Sequence, residues 1–105
     1  MKKLIFLFSL FIAFQAVAQE GIRFRHCSWE EAKAMAKKEK KPIFIDFYTQ
    51  WCGPCLNMAE NIFTLGSVGN FYNDHFVCLK IDAETGEGVE LAKKYEVASF
   101  PTFVF

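Results

Sequence analysis

Excess charge of either sign is missing from this sequence: twelve basic and twelve acidic side chains cancel. A surface that binds nucleic acid or an anionic membrane needs a basic excess, and nothing here supplies one. Cysteine is also sparse. Four residues, Cys27, Cys52, Cys55 and Cys78, are too few to staple a mini-protein of this length, so a hydrophobic core must do the folding. Repeats, low-complexity tracts and internal linkers are absent, which leaves room for one domain. A zinc site would want a second pair of ligands beside Cys52 and Cys55. Only His26 with Cys27, or His75 with Cys78, could offer one, and neither repeats a knuckle pattern. No metal and no cofactor are expected.

Long hydrophobic runs are represented once, at the N-terminus. Lys2 and Lys3 precede the apolar stretch Leu4 to Phe14, and Ala16-Val17-Ala18 is a small-residue cleavage signature. The run is shorter than the roughly 20 residues of a membrane span. This is the pattern of a secretory signal peptide over residues 1–18, cleaved after Ala18, with an uncleaved membrane anchor as the alternative. Its removal takes two lysines and leaves residues 19–105 with a net charge of −2. Export implies a periplasmic or extracellular, oxidising compartment.

What is present alternates between two periodicities. Ile22 to His26 reads as a short first strand. Ser28-Trp29-Glu30-Glu31 fits a capping box for a helix to about Glu39, which Pro42 stops. Lys37, Lys38, Lys40 and Lys41 gather where cations favour a helix C-terminus. Ile43 to Tyr48 is a strand buried on both faces. Cys55 to about Leu65 reads as helical, Gly66 to Gly69 as a break, and Val68 to Tyr72 as another helical turn. Phe76 to Asp82 is a second buried strand, Ala83 to Gly88 a polar loop, and Val89 to Tyr95 a helix. Ser99 to Thr102 is a turn before a third apolar strand from Thr102. The alternation argues for an α/β layer with parallel crossovers. The last residue, Phe105, falls inside that strand with no stop signal, and the expectation is a fragment of a longer fold.

The chemistry is concentrated in Cys52-Gly53-Pro54-Cys55. A cysteine at the start of a helix meets free amides and the positive end of the dipole, which favour its thiolate. The thiolate is the nucleophile of disulfide exchange. A second cysteine one turn on can attack the mixed disulfide and release the product. Cys52 is therefore the attacking thiol and Cys55 the resolving thiol. Gly53 and Pro54 shape the tight turn, and the missing N–H of proline is not needed in a first helical turn.

The segment Asp46-Phe47-Tyr48-Thr49-Gln50-Trp51-Cys52-Gly53-Pro54-Cys55 resembles the active-site strand and motif of the thioredoxins, and Phe100-Pro101-Thr102 resembles their cis-proline loop. The resemblance spans Ile22 to Phe105. It implies a thioredoxin-like α/β fold, a central mixed sheet flanked by helices, truncated before the last strand and C-terminal helix. It implies that Asp46 is a buried acid helping to deprotonate Cys55, which desolvation of a carboxyl in an apolar strand makes physically reasonable. It implies a cis Pro101 facing the sulfurs, pairing of the Phe100 backbone with an extended substrate, and Trp51 covering the sulfurs. In that topology Cys27 and Cys78 are offset by about 10 Å along neighbouring strands, beyond disulfide reach. Cys78 occupies a position where thioredoxins often carry lysine and reads as an inert core thiol. Lys80 shares its face; whether it partners Asp46 is not legible.

The function implied is an exported thiol-disulfide oxidoreductase that reduces or isomerises disulfides in protein substrates. The Gly-Pro pair resembles the reducing members, near roughly −270 mV against roughly −120 mV for the strong periplasmic oxidant. A reducing site outside the cytosol needs a membrane electron donor; clients would be mis-paired disulfides or apocytochrome cysteines. The alternatives are a non-enzymatic binding or chaperone module, or the redox module of a larger protein.

Overall fold

The computed structural model describes residues 20–105. The expected signal peptide and its cleavage point lie outside the described residues.

Helix α1 (Trp29–Glu39) begins as its sequence requires. The Ser28 hydroxyl accepts from the Glu31 amide at 3.1 Å, and the Glu31 carboxylate accepts from the Ser28 amide at 3.3 Å. The helix ends one step before the expected mechanism acts. Lys40 turns into the left-handed region at φ 55°, and the Lys41 amide closes onto the Ala36 carbonyl. Pro42 follows an end already made.

Strand β1 (Ile43–Tyr48) lies in the middle of a three-stranded sheet ordered β2-β1-β3, with β2 Val77–Asp82 and β3 Thr102–Val104. That central position accounts for its near-continuous apolar run. Strand β2 pairs with it in parallel, Asp46 opposite Lys80, and β3 antiparallel, so the sheet is mixed as expected. Side chains alternate between its faces. Ile45 and Phe47 pack with Leu79, Leu91 and Ala32 on the side of α1 and α4 (Gly88–Lys94). Phe44 packs with Phe63 and Cys78 on the other side, under α2 (Gly53–Asn61) and α3 (Gly66–His75). Asp46 shares the Phe44 face and therefore looks toward α2.

Two sequence expectations need correction. The first strand is reduced to one bridge, Arg25 to Leu79. Its amides are shared among different partners: Arg25 donates to the Cys78 carbonyl, Ile22 to the Phe63 carbonyl and Arg23 to the Asn73 side chain. No ladder can propagate from such divided bonding.

The stretch from Cys55 to Tyr72 is also divided differently. Helix α2 starts earlier, at Gly53, and ends at Asn61, where the amides of Ile62 and Phe63 both turn onto the Met58 carbonyl. The glycines read as a break instead lie inside the full helix α3. Gly69 is needed for contact rather than for flexibility. A Cβ there would overlap the backbone of Glu20 and Gly21, which crosses the helix at that point. Gly69→Ala is expected to destabilise the fold by about 2 kcal/mol, the cost of overpacking a close approach, read as a lower denaturant midpoint at unchanged slope.

Candidate active site

The chain leaves β1 at Tyr48 and folds back at once. The Thr49 carbonyl accepts from the Cys52 amide at 3.4 Å, placing Cys52 at the N-cap of α2 in extended conformation. Its sulfur serves as the capping acceptor, taking the Cys55 amide at 3.0 Å. An N-cap acceptor satisfies one of the helix's free amides, and here that acceptor is sulfur. Gly53 and Pro54 form the first turn, both exposed, where proline forfeits no bond. Cys52 and Cys55 are joined as a disulfide, with Cα atoms 5.2 Å apart. Both are buried, and one wall of a cleft of about 440 Å³ runs along them.

Trp51 is 72% exposed, in contrast to an ordinary core tryptophan. Its indole N–H donates to the Glu84 carboxylate, and its ring meets Phe100 edge-on at 6.1 Å. The Phe100–Pro101 peptide bond is cis. Trp51 thus links the cysteine motif to the Phe100-Pro101 loop. Phe100 also packs against the core on the α1 and α4 side. A second tie runs alongside: Gln50 donates to Asp82, whose other oxygen accepts from the Glu84 amide. Asp82 and Glu84 were not singled out from sequence. They look like ordinary polar residues at a strand end, and only the parallel pairing of β1 with β2 brings them against the motif.

Asp46 is 2% exposed, and its Oδ1 has no hydrogen-bond donor. A strand-end aspartate satisfied by backbone amides would look different. Burial raises its pKa to about 6, against a smaller lowering by the Lys80 ammonium across the strand pair. Lys80 does not close an ion pair with it; its Nζ lies 4.9 Å from the Tyr48 ring centre and 6.0 Å from that of Phe24.

The remaining cysteines stand apart. Cys78 is buried with its sulfur toward the carbonyls of Tyr72 and Phe76, and burial pushes its thiol up to about 11. It is held protonated and unreactive, as expected of a core thiol. Cys27 is unbridged, and burial raises its pKa as well. The Arg25–Leu79 bridge puts Phe24 level with Cys78, so Cys27 lies well beyond it along the strand. His26 and His75 are exposed, the latter stacked on Phe71.

Residues 24–105 match a family model described as thioredoxin-like. Thioredoxin-1 of Drosophila melanogaster is 42% identical over 73 residues, covering 70% of this chain and 64% of that protein. The chain spans 64% of the length of two such Drosophila thioredoxins and about two fifths of the chloroplastic thioredoxins it matches. Among solved structures, a candidate disulphide-isomerase from Bacteroides thetaiotaomicron superimposes with a TM-score of 0.73 at 48% identity, covering 82% of this chain and 71% of that one. A thioredoxin from Thermus thermophilus gives a TM-score of 0.71 at 29% identity, covering 81% and 64%.

Proposed function

The chain belongs to the thioredoxin-like family, and on that premise we propose that it is a thiol-disulfide oxidoreductase acting on protein disulfides through Cys52 and Cys55. The observation that carries this reading is the disulfide-capable pair at the N-cap of α2, with the sulfur of Cys52 already accepting a helix amide. A site built this way favours a thiolate over a thiol at Cys52 once the bond is reduced.

In the reducing direction the Cys52 thiolate attacks one sulfur of a client disulfide. A mixed disulfide forms and the other client sulfur leaves as thiolate. Cys55 then gives up its proton, attacks the Cys52 sulfur and expels the second client thiolate. The client gains two electrons, and the Cys52–Cys55 bond is the oxidised product. Asp46 is the acceptor for the Cys55 proton. A buried carboxyl with a pKa near 6 can take and return a proton close to neutrality. Phe100 and Pro101 bind the extended client backbone beside the sulfurs, Trp51 covers them, and Gly53 with Pro54 sets their turn.

The protein works outside the cytosol, with residues 1–18 as a signal peptide removed after Ala18 and the domain running from Gln19. Reduction there consumes electrons that the compartment does not supply, so a membrane protein donates them. The Gly-Pro pair supports a reducing potential. Two measurements test this together: insulin reduction with dithiothreitol as the electron source, and titration of the Cys52–Cys55 couple against glutathione. Turnover of insulin with a midpoint nearer roughly −270 mV than −120 mV is expected. A midpoint at the oxidising end would reverse the direction of flow and remove the need for a donor.

A further inference from the structure

The two signs of charge that cancel over the whole chain are separated by the fold. Strands β1 and β2 run in parallel, and Cys52 follows the C-terminal end of β1. The same end carries Asp82, Glu84, Glu87 and Glu90, between the close of β2 and the first turn of α4. At the opposite end α1 and α3 finish and the two strands begin. There the Pro42 carbonyl accepts from the Val77 amide at 2.9 Å, and the Lys41 ammonium donates to the Asn73 carbonyl at 3.0 Å. The rise of the strands puts about 17 Å between the two ends.

Basic groups collect at that opposite end. Lys37 and Lys38 stand in the last turn of α1, and Lys40 and Lys41 follow it. Arg23 joins them, its amide donating to the Asn73 side chain. Among the described residues none of these forms an ion pair, and all but Lys41 are exposed. The acids to set against them are Glu20 and Asp74, because Glu39 is held by Arg25 at 2.9 Å. The dipole of α1 is answered by the lysines of its last turn, so Lys40, Lys41 and Arg23 are a surplus. An exposed aromatic ring lies beside them. Phe71 of α3 is 53% exposed and stacks on His75. It lies 6.4 Å from the ring of Phe76, which borders Arg23 and Arg25. Cations grouped around an exposed aromatic suit an anionic bilayer, whose headgroups attract the charges and whose boundary takes the ring. A soluble polyanion would use the cations and leave Phe71 idle.

We propose that this end of the molecule docks on a membrane surface rich in anionic phospholipid headgroups. Arg23, Lys37, Lys38 and Lys40 meet the headgroup phosphates, and Phe71 enters the interface beside them. Lys41 stays tied to Asn73 and adds its charge to the field. The acids around Trp51 lie at the far end of the sheet, where the same bilayer would repel them. Docked in this way, the molecule turns Cys52 away from the lipid and leaves the cleft open to clients in solution. The surface is independent of the reaction at Cys52 and stands whether or not the oxidoreductase reading does.

The test is flotation of the full chain with vesicles of phosphatidylcholine alone and of equal parts phosphatidylcholine and phosphatidylglycerol. Stronger binding to the anionic vesicles is expected, and it should disappear at about 1 M salt, where screening acts within roughly 3 Å. Each lysine near such a surface is worth about fivefold, so the combined variant Lys37→Gln, Lys38→Gln, Lys40→Gln should lose about 100-fold in affinity for them. The combined variant Lys33→Gln, Lys93→Gln, Lys94→Gln makes the same change of charge around the Trp29–Tyr95 contact and should keep most of the binding. All these proteins carry the same N-terminal run, so its own affinity for lipid cancels in the comparison. Phe71→Ser should weaken binding to anionic vesicles and leave binding to heparin unchanged. Equal binding to the two kinds of vesicle overturns the proposal, as does an equal loss in both lysine variants. Binding that follows charge alone, as strong on heparin as on vesicles and indifferent to Phe71→Ser, overturns the membrane in favour of a soluble polyanion.

Discussion

Replacing Cys52 by serine is expected to reduce insulin turnover to the uncatalysed background, while Cys55→Ser leaves a protein that reacts once and stops. The asymmetry follows from the N-cap geometry. Cys52 is the sulfur that accepts the Cys55 amide, so it is the one whose negative charge the helix start supports. A serine hydroxyl can accept the same amide bond and keep the cap, but it cannot attack a disulfide at neutral pH. The fold should therefore survive the loss of activity. In Cys55→Ser the first step is intact and the resolving attack is missing, so a covalent mixed disulfide with the client should accumulate. Non-reducing electrophoresis and intact-mass measurement read both outcomes. Accumulation in Cys52→Ser rather than Cys55→Ser would mean that the roles are exchanged.

That assignment could be made from the sequence because it depends on neighbours along the chain. A cysteine pair one helical turn apart, with Pro54 between them, specifies a helix start without any tertiary information and makes Cys52 the proposed nucleophile. The strand carrying Asp46 was legible for a related reason: a near-continuous apolar run such as Ile43 to Tyr48 suits a central strand covered on both faces. Features created by contact between distant segments were not legible. Gly66 and Gly69 look like a break until the crossing of Glu20 and Gly21 over α3 shows why a side chain is excluded. Ile22 to His26 has the composition of a strand, but competition for its amides leaves only the bridge at Arg25. The tie between Trp51 and Glu84 depends on the β1–β2 register. So does the answer to whether Lys80 partners Asp46. It stands opposite and lowers the acid's proton affinity, yet its ammonium lies on aromatic rings.

Among the described residues, Asp46 also gives the stability of the protein a large expected dependence on pH. Its ordinary value of 3.8 in the unfolded chain rises to about 6 in the folded one, chiefly through burial. Between those values the native state holds a proton that the unfolded state has released. Stability contributed by this group is therefore fully present below pH 3.8, falls as pH rises through the interval, and is lost above about pH 6. The interval corresponds to about 3 kcal/mol, and the near-complete burial of the side chain leaves little solvent screening to reduce it. Asp46→Asn removes the titration while keeping the shape and one acceptor oxygen. At pH 7 the variant should be more stable than the wild type by about 3 kcal/mol, with the difference shrinking toward zero near pH 4. Urea denaturation across that range measures it. In the same variant the resolving step should slow, because Cys55 loses the group proposed to take its proton. A variant that is stabilised and slow at once would show that the buried carboxylate is retained for chemistry at a cost to the fold. Equal stability of the two proteins at pH 7 would mean that Asp46 finds a donor in solution, and its proton affinity would then lie near the ordinary carboxylate range.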